Sequence, residues 1–163
     1  MELYLVRHAI AEDHSASGND ADRALTEAGK EKLVQVVRGL RKLKIRPDLI
    51  LTSPLRRARE TAEIAARGLD GAKVDVLHEL APAIDTKALV SALRPHSRLR
   101  ALALVGHQPG LGTLASFLLT GSEASIYIDF KKGGVAYMEA ELSDEPAHCV
   151  LKWVATSKLL RSL

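Results

Sequence analysis

The sequence predicts an α/β fold: a three-layer sandwich with a mostly parallel central sheet, helices on both faces, and antiparallel edge strands from the C-terminal third. Two observations carry this expectation. Apolar runs at residues 3–6, 48–52, 73–77 and 101–106 are separated by longer stretches whose apolar residues recur at three- and four-residue steps, and strands alternating with helices build parallel units. In the last third the pattern changes to strand-like segments joined by turns, which suits antiparallel pairing.

Leu3-Tyr4-Leu5-Val6 opens the chain as a strand. Residues 11–25 are polar, small and rich in Asp and Ser, and are expected to form a mobile loop. Leu33, Val36, Val37, Leu40 and Leu43 then give an amphipathic helix, with Thr26 as its N-cap and Arg46-Pro47 as its stop. The second strand, 48–52, runs into Ser53-Pro54, a good N-cap and first helical residue, and Leu55, Ala58, Ala62 and Ala65 mark the buried stripe that follows. After the third strand at 73–77, a third helix is marked by Ala88, Leu89, Ala92 and Leu93. The fourth strand, 101–106, precedes a fourth helix marked by Leu111, Leu114, Ala115 and Leu118. Residues 125–130, 134–141 and 148–154 read as strands, with turns at Lys132-Gly133-Gly134 and Asp144-Glu145-Pro146. No repeat, low-complexity tract or linker breaks this order, so one domain spanning 1–163 is expected.

That length buries a substantial core without metal or disulfide support. The single cysteine, Cys149, cannot form an intrachain disulfide. No apolar run approaches the roughly 18–20 residues that span a bilayer, and Glu2, Arg7 and His8 spoil a signal peptide. A cytoplasmic protein with no membrane partner is expected. The net charge of +3 is too mild to argue for nucleic acid, and six aromatic residues offer no base-stacking platform. The local arginine clusters at 56, 57, 59 and at 94, 98, 100 suit an anionic substrate better than a polyanion track.

Three strand ends carry the chemistry. The first delivers Arg7 and His8. The second runs through Ser53 into a helix whose first turn holds Arg56 and Arg57, and a helix N-terminus itself favours an anion. Cations there oppose the helix dipole by ~0.3–1 kcal/mol each, a cost that is intelligible if an anion sits between them. The third end runs into Gly106-His107-Gln108-Pro109-Gly110. In open α/β sheets, ligands bind beyond the carboxyl ends of the strands, so these groups converge on one crevice. Two imidazoles among guanidiniums describe a phosphate site, whereas the same guanidiniums would repel a metal. Glu12-Asp13-His14 is read as a solvated loop segment, and no metal or cofactor is expected. A neutral imidazole attacks phosphorus in line, arginines bind the equatorial oxygens, and a second imidazole donates to the phosphoryl group.

Leu5-Val6-Arg7-His8-Ala9, the segment Arg23 to Gly29, the segment Thr52 to Thr61 and Val105-Gly106-His107 together resemble the histidine phosphatase superfamily of phosphoglycerate mutase-like proteins, and within it the short SixA-type phosphohistidine phosphatases. The resemblance spans most of the chain in the right order. It implies that His8 is the nucleophile, that Arg7 and Arg57 bind the phosphate, and that His107 completes the pocket; Ser53 reads most simply as a helix cap, with a phosphate contact as an addition. Arg57, fourth after Ser53 and followed by Ala58, fits the Ser-Pro-x-x-Arg-Ala motif. Arg23 matches an arginine before Leu-Thr at the pocket mouth, and Glu79 falls where many relatives place a proton donor. Ala9 replaces the usual glycine, which is tolerated at negative φ. The resemblance thus implies a metal-independent phosphatase working through phosphorylated His8, with a protein-borne phosphohistidine as substrate. A small phosphate ester is the alternative substrate, and a non-catalytic phospho-ligand module the alternative class.

Overall fold

The computed structural model describes residues 1–142 and 148–163. Its six-stranded sheet has the order β3-β2-β4-β1-β5-β6, formed by β1 (Glu2–Arg7), β2 (Leu49–Thr52), β3 (Lys73–Val76), β4 (Ala101–Gly106), β5 (Val135–Glu141) and β6 (His148–Ala155). β3, β2, β4 and β1 run parallel, and β5 and β6 add antiparallel pairing on the other side of β1. The helices are α1 (Glu27–Lys42), α2 (Arg56–Gly68), α3 (Thr86–Leu93), α4 (Gly110–Thr120) and α5 (Ser157–Arg161). This is the mostly parallel α/β arrangement with an antiparallel edge that the pattern predicts.

Strand alternation divides the interior into two layers. Tyr4 and Val6 of β1 face a cluster with Leu33, Val36 and Leu40 of α1 and Ala58 and Ala62 of α2. Leu3 and Leu5 face the other side, with Leu89 and Leu93 of α3 and Leu111 and Leu114 of α4. The central strand β4 is buried along its whole length, as a strand covered on both faces must be. The Thr26 side chain caps α1 by accepting from the Gly29 N–H.

The structure departs from the sequence expectations in three places. Residues 125–130 form no strand. Their backbone is bonded by side chains instead: Ser116 Oγ accepts from the Ile126 N–H, Gln108 donates to the Ile128 carbonyl, and Arg7 donates to that of Phe130. α1 ends at Lys42, so Leu43 falls outside the buried stripe and is exposed, and the chain turns at Lys44 with φ 61°. α2 begins at Arg56 with Leu55 as its cap, so Ser53 and Pro54 stay in the loop. The Lys132–Gly134 turn is present, with Gly134 N–H donating to the Lys131 carbonyl and Gly133 at φ 71°. The Asp144-Glu145-Pro146 turn lies outside the described residues. Among the described residues, no helix is long and apolar enough to cross a membrane.

Candidate active site

The ends of β1, β4 and β2 are laced together by their own backbones. His8 N–H donates to the Gly106 carbonyl at 3.0 Å, and Ser53 N–H to that of Val105 at 2.9 Å. On the other side, Gly133 N–H bonds the carbonyls of Arg7 and His8. These bonds extend the sheet pairing by one residue and fix the directions in which His8, Ser53 and His107 leave it. The two imidazoles come within 5.1 Å between ring centroids, tilted by 55°.

His8 is buried, and its Nδ1 lies 2.7 Å from the Ala9 carbonyl oxygen. A carbonyl only accepts, so Nδ1 carries the proton and Nε2 keeps its lone pair. Burial is the largest influence on His8, and with Arg57 and Arg7 nearby it lowers the pKa to about 4. His8 is therefore neutral at pH 7, the state a nucleophile needs. Burial, then the neighbouring His8 and Arg57, lowers His107 to about 3. His107 Nε2 lies 2.8 Å from Ser53 Oγ, while its buried Nδ1 has no partner. With the Ser53 hydroxyl donating to Nε2, the ring proton sits on Nδ1. Local preference makes Ser53 a cap for α2. In the fold its Oγ accepts from Leu55 N–H at 3.3 Å and orients His107.

The two arginines at the start of α2 part company. Arg56 is exposed, and its Nε donates to Glu60 Oε1 at 2.8 Å. Arg57 is buried, at 6 % side-chain exposure, and reaches the loop before α1, where Asp20 meets it. Arg7, half-buried, anchors through the Phe130 carbonyl and leaves a buried Nε unpartnered. Arg23 holds Asp20 from the other side at 2.7 Å. Among the described residues, the fold thus brings His8, Arg7, Arg57, His107 and Ser53 together, with Arg23 one carboxylate away. Glu79 takes no part in these contacts. That residue is exposed on a short turn, His78–Leu80, after the outer strand β3, without a hydrogen bond or ion pair to any of them. No group of three or more His, Cys, Asp or Glu among the described residues is placed to hold a metal ion.

Sequence reasoning missed three contributors. Thr61 accepts from the Ala9 N–H at 3.1 Å and donates to the Arg57 carbonyl at 2.7 Å, tying the residue after His8 to the arginine's own helix. The Phe130 carbonyl, from a segment with the pattern of a strand, steers Arg7. Asp20 was hidden in a polar loop. Only its three-residue spacing from Arg23 hinted at a pair. Ala9 is not among the residues with positive φ, which apart from glycines are Lys44 and Asp70 among the described residues, so its methyl is accommodated.

Residues 3–82 match the family model of the histidine phosphatase superfamily (branch 1). The chain belongs to that superfamily. The match supports a phosphatase, a hydrolase of phosphate groups, and the geometry of the strand ends suits that chemistry. An uncharacterized protein of Picosynechococcus sp. is 37% identical over 153 residues, covering 91% of this chain and 90% of that one. Among solved structures, the protein histidine phosphatase SixA complexed with tungstate superposes with a TM-score of 0.86 at 22% identity, covering 97% of this chain and 98% of that one. A phosphoserine phosphatase mutant from Entamoeba histolytica, in complex with phosphoserine, gives 0.72 at 16% identity, with 98% of each chain covered. At such identities these two likenesses establish the shared fold.

Proposed function

We propose that this superfamily member hydrolyses a phosphohistidine carried by a protein, through a phosphorylated His8. The observation that carries the reading is the His8 Nδ1 to Ala9 carbonyl bond of 2.7 Å, which leaves Nε2 as an unprotonated nucleophile between two arginines and a second histidine. Nε2 attacks the phosphorus in line, the phosphoryl group passes to the ring, and water then hydrolyses phospho-His8 to inorganic phosphate. Arg7 and Arg57 bind the equatorial oxygens and His107 donates from Nδ1, so developing charge meets preorganised donors. We assign the charge stabilisation to these side chains, with no metal and no cofactor. Arg23 borders the pocket through Asp20, and Ser53 acts through His107 rather than on phosphate. We assign Glu79 no part in proton transfer, since it is exposed and makes no hydrogen bond or ion pair to the bonded cluster.

A protein-borne substrate is supported by the compactness of a chain that we take as one domain over 1–163, and by the SixA fold likeness. The free, partly buried Cys149 agrees with a cytoplasmic setting. A small phosphate ester is the second reading, favoured by the one observation that the loop before α1 reaches across to Arg57.

The test offers a phosphohistidine protein and a panel of small esters to wild type and His8→Ala, without divalent metal. Turnover by wild type and a loss of about 10⁴-fold or more in the variant are expected for removal of a covalent nucleophile. Equal activity in the variant removes the nucleophile assignment. Turnover that requires added metal overturns the mechanism, and a preference for small esters by orders of magnitude replaces the protein substrate.

A further inference from the structure

The loop before α1 sets one carboxylate against the buried arginine. Arg57 Nη1 donates to the Asp20 carbonyl at 2.8 Å and Nη2 to Asp20 Oδ2 at 3.0 Å, while Arg23 Nη1 donates to Asp20 Oδ1 at 2.7 Å. Arg23 is itself fastened to its loop by an Nε bond to the Glu12 carbonyl at 2.6 Å. The two carboxylate oxygens therefore have different masters. Oδ1 belongs to an arginine of its own loop, and Oδ2 to the arginine that receives phosphate. A phosphoryl group arriving at Arg57 competes for Nη2 with an oxygen of its own charge sign. Oδ2 is released, and Arg23 keeps the carboxylate at the mouth of the site. Arg23 also holds that carboxyl below the usual carboxylate range, so it remains an anion at neutral pH.

We propose that Asp20 selects the leaving group, favouring a phosphorylated nitrogen that bears positive charge and disfavouring leaving groups that carry or develop negative charge. The proposal rests on the phosphatase reading and deepens it by naming a substrate class: an N-phosphoryl imidazole protonated on its other ring nitrogen. Oδ2, freed from Arg57, accepts that N–H. His8 Nε2 then forms a bond to phosphorus as the substrate P–N bond breaks. The electron pair goes to the departing nitrogen, and the imidazole leaves neutral because its other nitrogen holds the proton. Water attacks phospho-His8, gives up a proton to solvent, and the second P–N bond breaks to yield phosphate and the original ring. For an ester the departing oxygen gathers negative charge, which a fixed carboxylate opposes.

Asp20→Asn and Asp20→Glu test this with N-phosphoimidazole, p-nitrophenyl phosphate and the carboxylate-bearing 3-phosphoglycerate, each compared as kcat/KM. A charge-assisted hydrogen bond at this position is lost in Asp20→Asn, so turnover of phosphoimidazole falls about tenfold or more while that of the esters holds or rises. Asp20→Glu restores part of the wild-type ratio. Asp20 is mostly exposed, and a thermal melt confirms that the variants fold. An equal fall on all substrates means that Asp20 only positions Arg57, and an equal rise means that it only obstructs the pocket; either overturns the proposal. A wild type that hydrolyses esters but not phosphoimidazole also overturns it while the phosphatase reading stands, whereas no turnover of any substrate defeats that reading first.

Discussion

His107 Nε2 and Ser53 Oγ lie 2.8 Å apart, and that bond leaves Nδ1 as the ring nitrogen without a partner. The hydroxyl comes from the end of β2 and the imidazole from the end of β4, neighbours in the sheet but 54 residues apart in the chain. Ser53→Ala leaves Nε2 buried without a partner, which costs about 1–3 kcal/mol. The expected result is a drop in kcat of about tenfold or more with a smaller change in phosphate affinity, read from steady-state kinetics and phosphate titration. Unchanged kcat would return Ser53 to a purely local role.

The histidines also set the response to acid. Both have folded pKa values below the ordinary 6.5, about 4 for His8 and about 3 for His107, with burial as the first cause. Between these values and pH 6.5 the unfolded chain binds more protons than the native one, so stability is fully present above 6.5 and falls as the pH drops toward 4. The loss is on the order of 3 kcal/mol per histidine. Urea melts at pH 7 and pH 4.5 check it, and His8→Gln should flatten the dependence. Imidazole ¹⁵N shifts that show His8 titrating near 6.5 would contradict the burial argument.

Arg56 and Arg57 are adjacent in sequence and opposite in consequence. Arg57→Lys keeps the charge but loses the planar fork, so kcat/KM is expected to fall by about 10²-fold, close to Arg57→Ala. Arg56→Ala removes an exposed pair with Glu60 and should change stability by no more than about 0.5 kcal/mol. Comparable losses in both would place Arg56 at the phosphate as well.

Gly29 explains the glycine in the segment after Thr26. A Cβ there would meet the Ile10 carbonyl oxygen at 2.1 Å, against backbone that leads directly from His8. Gly39 is an internal control, since its Cβ would meet the Leu160 carbonyl oxygen at 2.0 Å on α5. Both Gly→Ala variants should lose about 1–3 kcal/mol or more, despite alanine's helix preference. Only Gly29→Ala should also lower kcat, because only it shifts the segment that carries His8, the proposed nucleophile. Equal kcat in the two would uncouple that contact from the site.

Periodicity and turn chemistry determined the strands at 3–6, 48–52, 73–77 and 101–106, the Thr26 cap and the antiparallel end, because these are local properties of consecutive residues. The motif residues Arg7, His8, Arg57 and His107 were legible for a related reason: each sits within a few residues of a strand end, where the direction of the chain is already set. What the tertiary structure alone decided was partnership. Ser53 has the local preferences of a cap, and became a support for His107 because β2 and β4 lie side by side. Residues 125–130 have the composition of a strand, yet side chains from β1 and from the His107 loop and its helix took their hydrogen bonds. Asp20 was one acid among several in a polar loop until the fold placed it on Arg57. Its importance comes from contact across 37 residues of chain, which no local pattern encodes.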